Sequence, residues 1–411
     1  MKLRSLFLAS LAAMAMVSCS NEDDQIINVP EGETAQMRIA LAFPTPTRAE
    51  NTTEEVDVSN LTVVLEYGNF RKVKTISSDK FSRNGQTVTV EPFDVTAGTN
   101  VNIYAFLNSN TELNEALESG VLANLQVAST GSALDYLADG IAKNNSFLMS
   151  NTDGKAIQKA LIANTLNEAI IPVERVCAKL TEMSPTTAFE VTPSETVPES
   201  KKLNISLLNH TYINLVKDSY VLDRNTSVND ADYDNYLQKY GTLNYAWKLN
   251  KAEGVSTYCM ENRIAVNNND PIQVGSTCII YEAQARIGEE NAATFYVWNN
   301  EIFLNLVDLA KEYGVSSFDL EGAMTPAEIQ AKLKTKYYVD MYIDGKCYYI
   351  QPIKTATGST EIIRNNLYKL TVTGITKLGY PTTDIPDPDP TQLKLTVNIA
   401  DWTVNDFSFE L

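Results

Sequence analysis

The residues able to do chemistry are few and poorly clustered. His210 is the one histidine of 411 residues, so a histidine-based triad hangs on a single side chain and a multi-histidine metal site is excluded. No G-x-S-x-G nucleophile turn and no glycine-rich phosphate cradle is present. Asp230-Ala231-Asp232-Tyr233-Asp234 has the alternating acids that open a calcium loop. Asn235 and Gly241 stand where such a loop needs glycine and glutamate, which favours a solvated loop. Asn267-Asn268-Asn269-Asp270 is turn chemistry. Of the five cysteines, Cys177, Cys259, Cys278 and Cys347 lack C-x-x-C spacing, which disfavours zinc. A Cys259–Cys278 bridge and buried free thiols both stay open. These residues predict no catalysis, no cofactor and no metal.

Two residues have meaning as substrates instead. Arg48-Ala49 lies in Pro44-Thr45-Pro46-Thr47-Arg48-Ala49-Glu50-Asn51-Thr52-Thr53. The prolines cannot continue a ladder, so an exposed loop open to a trypsin-like protease is expected. Cys19 follows Met1–Ser18, which has basic Lys2 and Arg4 and the apolar run Leu6–Val17. That is an export signal, too short to span a membrane as a mature helix. Met16-Val17-Ser18-Cys19 resembles a bacterial lipobox, which would make Cys19 a lipidated N-terminus. The acidic Ser20–Asp24 resembles the surface-export tag of Bacteroidota lipoproteins.

The elements around these residues come next. Gln36–Phe43 alternates, with Met37, Ile39, Leu41 and Phe43 on one side. Leu393, Leu395, Val397 and Ile399 repeat the pattern, and after a bend at Asp401-Trp402 so do Phe407, Phe409 and Leu411. Period-two alternation marks half-buried strands. A cut after Arg48 would release the first strand, and the second could stand in for it.

Apolar residues make up 44% of the chain, Tyr and Phe number 20 and 13, and the net charge is −18. The length allows two ordinary domains, the composition favours strands, and the acidity excludes the basic footprint of a nucleic-acid binder. Strands are predicted at 61–67, 87–92, 100–107, 170–180, 203–207, 276–285, 294–297, 336–343, 347–350 and 367–376. Helices are predicted at 112–125, 132–143, 155–167, 301–313 and 326–334, with Phe147–Ser150 a short apolar segment. Pro185, Pro193 and Pro198 mark a domain boundary, and Thr382–Pro390 is an acidic, proline-rich linker. The expected order is therefore signal peptide 1–18, lipidated propeptide 19–48, domains 49–185 and 186–381, linker 382–390 and tail 391–411. The class is mainly β, two β-sandwich domains with helical insertions.

Val173-Glu174-Arg175-Val176-Cys177-Ala178-Lys179-Leu180 resembles the V-x-R-x-x-A-K strand of the Bacteroidales fimbrillins. Arg364-Asn365-Asn366-Leu367-Tyr368 resembles their R-N-x-x-Y element, and Lys377–Pro381, the linker and Val397–Trp402 resemble the tail of their shaft subunits. The chain is thus similar to the Mfa/FimA-like family of fimbrial subunits. The resemblance implies transthyretin-like domains, export through Cys19 to the outer membrane, and cleavage between Arg48 and Ala49. It further implies loss of Gln36–Phe43 and its replacement by a neighbour's Leu393–Leu411, including Trp402, Phe407, Phe409 and Leu411, in an extracellular fimbrium. The implied partners are other fimbrial subunits, anchor and tip proteins, a trypsin-like protease, and host or bacterial surface receptors.

Two other readings compete. A non-polymerising anchor or tip adhesin would keep Gln36–Phe43 in place. A glycan-binding or hydrolytic surface lipoprotein would want clustered tryptophans or paired carboxylates in a cleft, and only Trp247, Trp298 and Trp402 exist.

Overall fold

The computed structural model describes residues 32–43, 55, 57–84, 87–128, 141–143, 146–184, 188–191, 202–216, 218–224, 242–243, 248–249, 254–264, 275–288, 293–355, 357–384 and 392–401. The chain is mainly β. In the N-terminal half the strands are β1 (Thr34–Ala42), β2 (Asn60–Glu66), β3 (Arg71–Ser77), β4 (Phe81–Asn84), β5 (Thr87–Val90), β6 (Phe93–Thr96) and β7 (Gly98–Leu107). Helix α1 (Thr111–Ser119) follows, then β8 (Met149–Asn151), β9 (Ile157–Leu161) and β10 (Leu166–Arg175). They form one ladder in the order β3-β2-β7-β8-β10-β1-β5-β4, with β9 on β7 and β6 on β1.

At Val176 the chain leaves this ladder. The next strand, β11 (Cys177–Glu182), belongs to a second sheet, so sheet membership changes ahead of the proline-rich stretch at 185–198. The C-terminal half adds β12 (Leu203–Ile213), β13 (Val255–Met260), β14 (Cys278–Ile287), β15 (Phe295–Trp298), β16 (Glu301–Phe303), α2 (Leu306–Tyr313) and α3 (Pro326–Tyr337). It ends with β17 (Asp340–Tyr342), β18 (Lys346–Pro352), β19 (Asn366–Ile375) and β20 (Leu393–Asp401). One sheet runs β13-β11-β19-β20, and another runs Phe189–Val191, β12, β14, β18. Buried residues of both halves, from Met37 to Val397, join in one hydrophobic cluster. A small separate core, around Leu309, Phe318, Leu333 and Met341, holds α2 and α3 against β15–β17.

Several sequence expectations change. The helix expected at 155–167 is instead β9, a turn and the start of β10. Ile157–Lys159 pairs with Val101–Ile103 at a sheet edge, with a bulge before Leu161, and edge pairing outweighs the local helix preference. Residues 112–125 hold a shorter helix, Thr111–Ser119, because Gly120 ends it. Of 132–143, residues 132–140 lie outside the described residues, and Ala142–Lys143 pairs with Ser146–Phe147 as strand. Glu301–Phe303 is strand, and the helix starts only after the Asn305 cap. The strand expected from Lys336 begins at Asp340, since α3 runs on to Tyr337 from a Thr325–Glu328 capping box with Pro326 at its first position. Cys259 and Cys278 sit in different sheets as buried free thiols, as do Cys177 and Cys347, so the bridge left open by the sequence is not made.

Candidate strand-exchange site

β1 lies inside its sheet, not at its margin. On one side it runs parallel to β10, with Gln36–Ala42 opposite Leu166–Pro172. On the other it runs antiparallel to β5 and β6. Strand alternation puts Ala35, Met37, Ile39, Leu41 and Phe43 on the core face, where each is at most 2% exposed. Burial of Met37, Ile39, Leu41 and Phe43 contributes about 6–12 kcal/mol as an upper bound. On the outer face, Arg38 Nη1 lies 3.0 Å from Glu168 Oε1. Main-chain bonds fix the entry of the strand: Gln36 N–H donates to Thr165 O and Asn164 N–H to Thr34 O. Take β1 away and two strand edges and an apolar trough open together, the arrangement that recruits another strand.

β20 occupies the opposite situation. It is the last strand of its sheet, antiparallel to β19 from Asn366↔Asp401 to Ile375↔Leu393. Leu393 and Val397 are buried, Leu395 is half-buried, and Ile399 is 42% exposed. The seat thus weakens toward its C-terminal end, and Ile399 spends an apolar side chain largely on water. Cys19, Arg48, Ala49, Trp402, Phe407, Phe409 and Leu411, and with them Asp230–Asp234, lie outside the described residues.

Between the trough and the tail lies a polar junction that the sequence pattern flagged only as motifs. Arg175, at the end of β10, is wholly buried. Its Nε donates to Glu55 O at 3.1 Å, and its main-chain N–H to Asn365 Oδ1 at 3.3 Å. Asn365 N–H donates in turn to Cys177 O. Lys179 Nζ reaches Glu55 Oε1 at 2.7 Å, and Tyr258 Oη donates to the same oxygen at 2.5 Å. Burial lowers the Arg175 guanidinium to about 10 and pushes the Cys177 thiol up to about 12.

A second charged group adjoins it. Arg364 donates to both Glu261 oxygens, at 3.1 and 2.5 Å, and to Val221 O at 3.0 Å. Arg263 pairs Asp223 at 2.9 Å and Glu261 at 3.2 Å. Burial pushes the Glu261 carboxyl up, yet Arg364 and Arg263 together outweigh it and leave it below its usual range. Burial raises Glu174 to about 8, against the pull of Arg364 and with help from Asp223 and Glu261. His210 is a core residue of β12, edge-on to Tyr212 at 5.5 Å. No cluster of three or more metal-ligating side chains occurs among the described residues.

Comparison with known proteins bears on the fold. Residues 340–407 match the family model described as major fimbrial subunit protein type IV, fimbrillin, C-terminal. That span runs from β17 through β19 and the tail strand. Among solved structures, a fimbrilin (FimA) from Porphyromonas gingivalis W83 superposes with a TM-score of 0.50 at 16% identity, covering 91% of this chain and 99% of its own. The fold is the fimbrillin fold. Two candidate cell adhesion proteins from Parabacteroides distasonis ATCC 8503 share this fimbrillin-like architecture. One has a TM-score of 0.54 at 15% identity, covering 90% of this chain and all of the other. The second has 0.53 at 14%, covering 90% and 98%. No curated protein sequence matches. Within the fimbrillin fold, two of the sequence elements that carried the resemblance meet in space: Arg175 and Asn365 are hydrogen-bonded to each other.

Proposed function

We propose that this chain is a structural subunit of a cell-surface fimbrium that polymerises by strand exchange and serves adhesion. It is exported as a lipoprotein through Cys19 and cut between Arg48 and Ala49. The cut frees β1, and Leu393–Leu411 of the next copy fills the trough. The observation that carries this reading is the contrast between the two terminal strands. β1 is central, with its apolar face fully buried, yet stands directly before the arginine-bearing segment, whereas β20 is marginal and part-exposed. A tail of twenty-one residues can extend roughly 70 Å at about 3.3 Å per residue, enough to span a neighbouring domain. To act as donor, β20 must first peel from β19, and its weak outer end is where peeling begins. Each copy gives one tail and accepts one, so the contact is heterologous and builds an open filament. The fimbrillin C-terminal match and the shared fold support a fimbrial, non-enzymatic role outside the cell.

The test is limited trypsin digestion of the chain lacking its signal peptide. Cleavage at Arg48 yields SDS-resistant ladders, and truncation at Pro390 abolishes them while leaving a folded subunit. Clean cleavage without ladders sinks this reading and returns the chain to the anchor or tip class.

A further inference from the structure

On the outer face beside the trough, a part-exposed acid loses its basic partner whenever β1 leaves. Glu168 on β10 stands directly opposite Arg38 in the parallel register and holds it at 3.0 Å. The leader strand reads Gln36-Met37-Arg38-Ile39-Ala40-Leu41-Ala42-Phe43. The tail reads Gln392-Leu393-Lys394-Leu395-Thr396-Val397-Asn398-Ile399. Written in the same direction they coincide position by position: glutamine, apolar, base, then apolar at every second residue. Lys394 falls where Arg38 stood. In the subunit itself Lys394 is exposed at the sheet margin.

We propose that the tail of a second copy enters the trough in the direction of β1, parallel to β10, with Lys394 facing Glu168; this rests on the strand-exchange reading above. Alternation alone cannot set such a register. A slip of one residue turns every apolar side chain outward and is rejected by the core. A slip of two keeps the faces and would be tolerated. It moves Lys394 opposite Leu166 or Ile170, however, and leaves Glu168 without a base. The reversed direction brings Asn398 to Glu168 and Lys394 to Pro172. Only the same-direction, unslipped strand satisfies the apolar face and the acid together.

That direction also leads Asp401 and Trp402 toward the Phe43 end of the trough. There a cleft of about 380 Å³ is lined by Asp57, Phe81, Arg83 and Val88. Val88 faces Leu41 across the ladder, and the Arg83 guanidinium lies 5.8 Å from the Phe43 ring. A guanidinium already stacked on one aromatic ring suits another. The reversed strand would bring Gln392 and Thr391 instead.

The experiment mixes trypsin-cleaved full chains carrying Glu168→Cys with chains carrying either Lys394→Cys or Asn398→Cys, then adds a short thiol cross-linker. Cys19 departs with the leader, and the four described native thiols are buried. Cross-linked products of two or more subunits are expected with Lys394→Cys and not with Asn398→Cys. Cross-linking through Asn398→Cys establishes the reversed direction and overturns the proposal. Ladders that cross-link through neither position overturn it as well, and so does a monomer-sized looped product from Glu168→Cys/Lys394→Cys in one chain. Lack of ladders from the unsubstituted chain defeats the strand-exchange reading itself and the register with it. In parallel, Glu168→Lys slows ladder formation about two- to fivefold, the scale of a part-exposed ion pair. Lys394→Glu on the donor restores it, and failure of that rescue counts against the pairing.

Discussion

Glu55 and Lys179 form a buried ion pair at 2.7 Å, with side chains 2% and 9% exposed, at the point where the two halves of the chain meet. Tyr258 shares the same carboxylate oxygen, and Arg175 holds the Glu55 main-chain carbonyl. Glu55 follows the proposed cleavage loop and precedes β2, so it stays on the subunit after the leader departs. Breaking such a pair from one side strands a charge in the interior. Glu55→Ala is expected to cost about 3–5 kcal/mol in chemical denaturation, and Lys179→Met a similar amount. The double variant Glu55→Met/Lys179→Met recovers most of the loss, because neither charge is then left buried alone. Additive losses in the double variant would refute the coupling.

Ile39 gives the corresponding prediction for the leader strand. The side chain is wholly buried on the core face of β1, so Ile39→Ala lowers the stability of the uncut chain by about 2–5 kcal/mol. Once β1 has been cut and exchanged, residue 39 no longer belongs to the subunit. Polymers made from the variant therefore melt with those of the parent. A lasting deficit in the polymer means that β1 was never replaced.

Legibility in the sequence follows the strength of local signals. β1, β2, β7, β10, β14, β19 and β20 were readable because each alternates or runs apolar over many residues. α3 was readable because Pro326 and Glu328 announce its start. β9 was not, since Ile157-Gln158-Lys159-Ala160-Leu161 has no strand signature and is held by its edge partner β7 alone. β3 and β4 were missed for a related reason: Lys72, Lys74, Ser82 and Arg83 give polar, exposed strands at the ladder's two ends. For the site, the two terminal strands could be found by pattern. Glu55, Tyr258 and Glu168 could not, because their meaning lies in partners more than a hundred residues away. Only the motif residues Arg175, Lys179 and Asn365 hinted at the junction, without saying that they meet.

Ile399 separates storage of the tail from its use. On β20 it is 42% exposed, so Ile399→Asp changes the stability of the uncut chain by less than about 1 kcal/mol. In the trough the same position takes the place of Phe43, which is 2% exposed. A carboxylate there is desolvated on the apolar face, beside an Arg83 guanidinium already paired with Asp57, and ladder formation fails. Val397→Asp, by contrast, weakens both states, since Val397 is buried already in the subunit. Normal ladders from Ile399→Asp would place this end of the tail outside the trough.

Glu174 sets a pH dependence with a definite sign. Its carboxyl titrates near 8 in the folded chain, raised by burial from an ordinary value of 4.5. The folded state therefore holds a proton that the unfolded state gives up, and stability falls as pH rises between these two values. Below pH 4.5 the group favours neither state, and above about 8 the full penalty is in place. Glu174→Gln keeps an oxygen to accept the Asp153 main-chain N–H, bonded at 3.2 Å, but carries no proton to lose. Denaturation of parent and variant should differ little at pH 5. At pH 9 the variant should be the more stable by on the order of 2 kcal/mol, given 1.36 kcal/mol per pKa unit and partial solvent relief of the ionised group. An equal or larger loss in the variant at pH 9 would mean that Glu174 is ionised in the fold and paired with Arg364 instead.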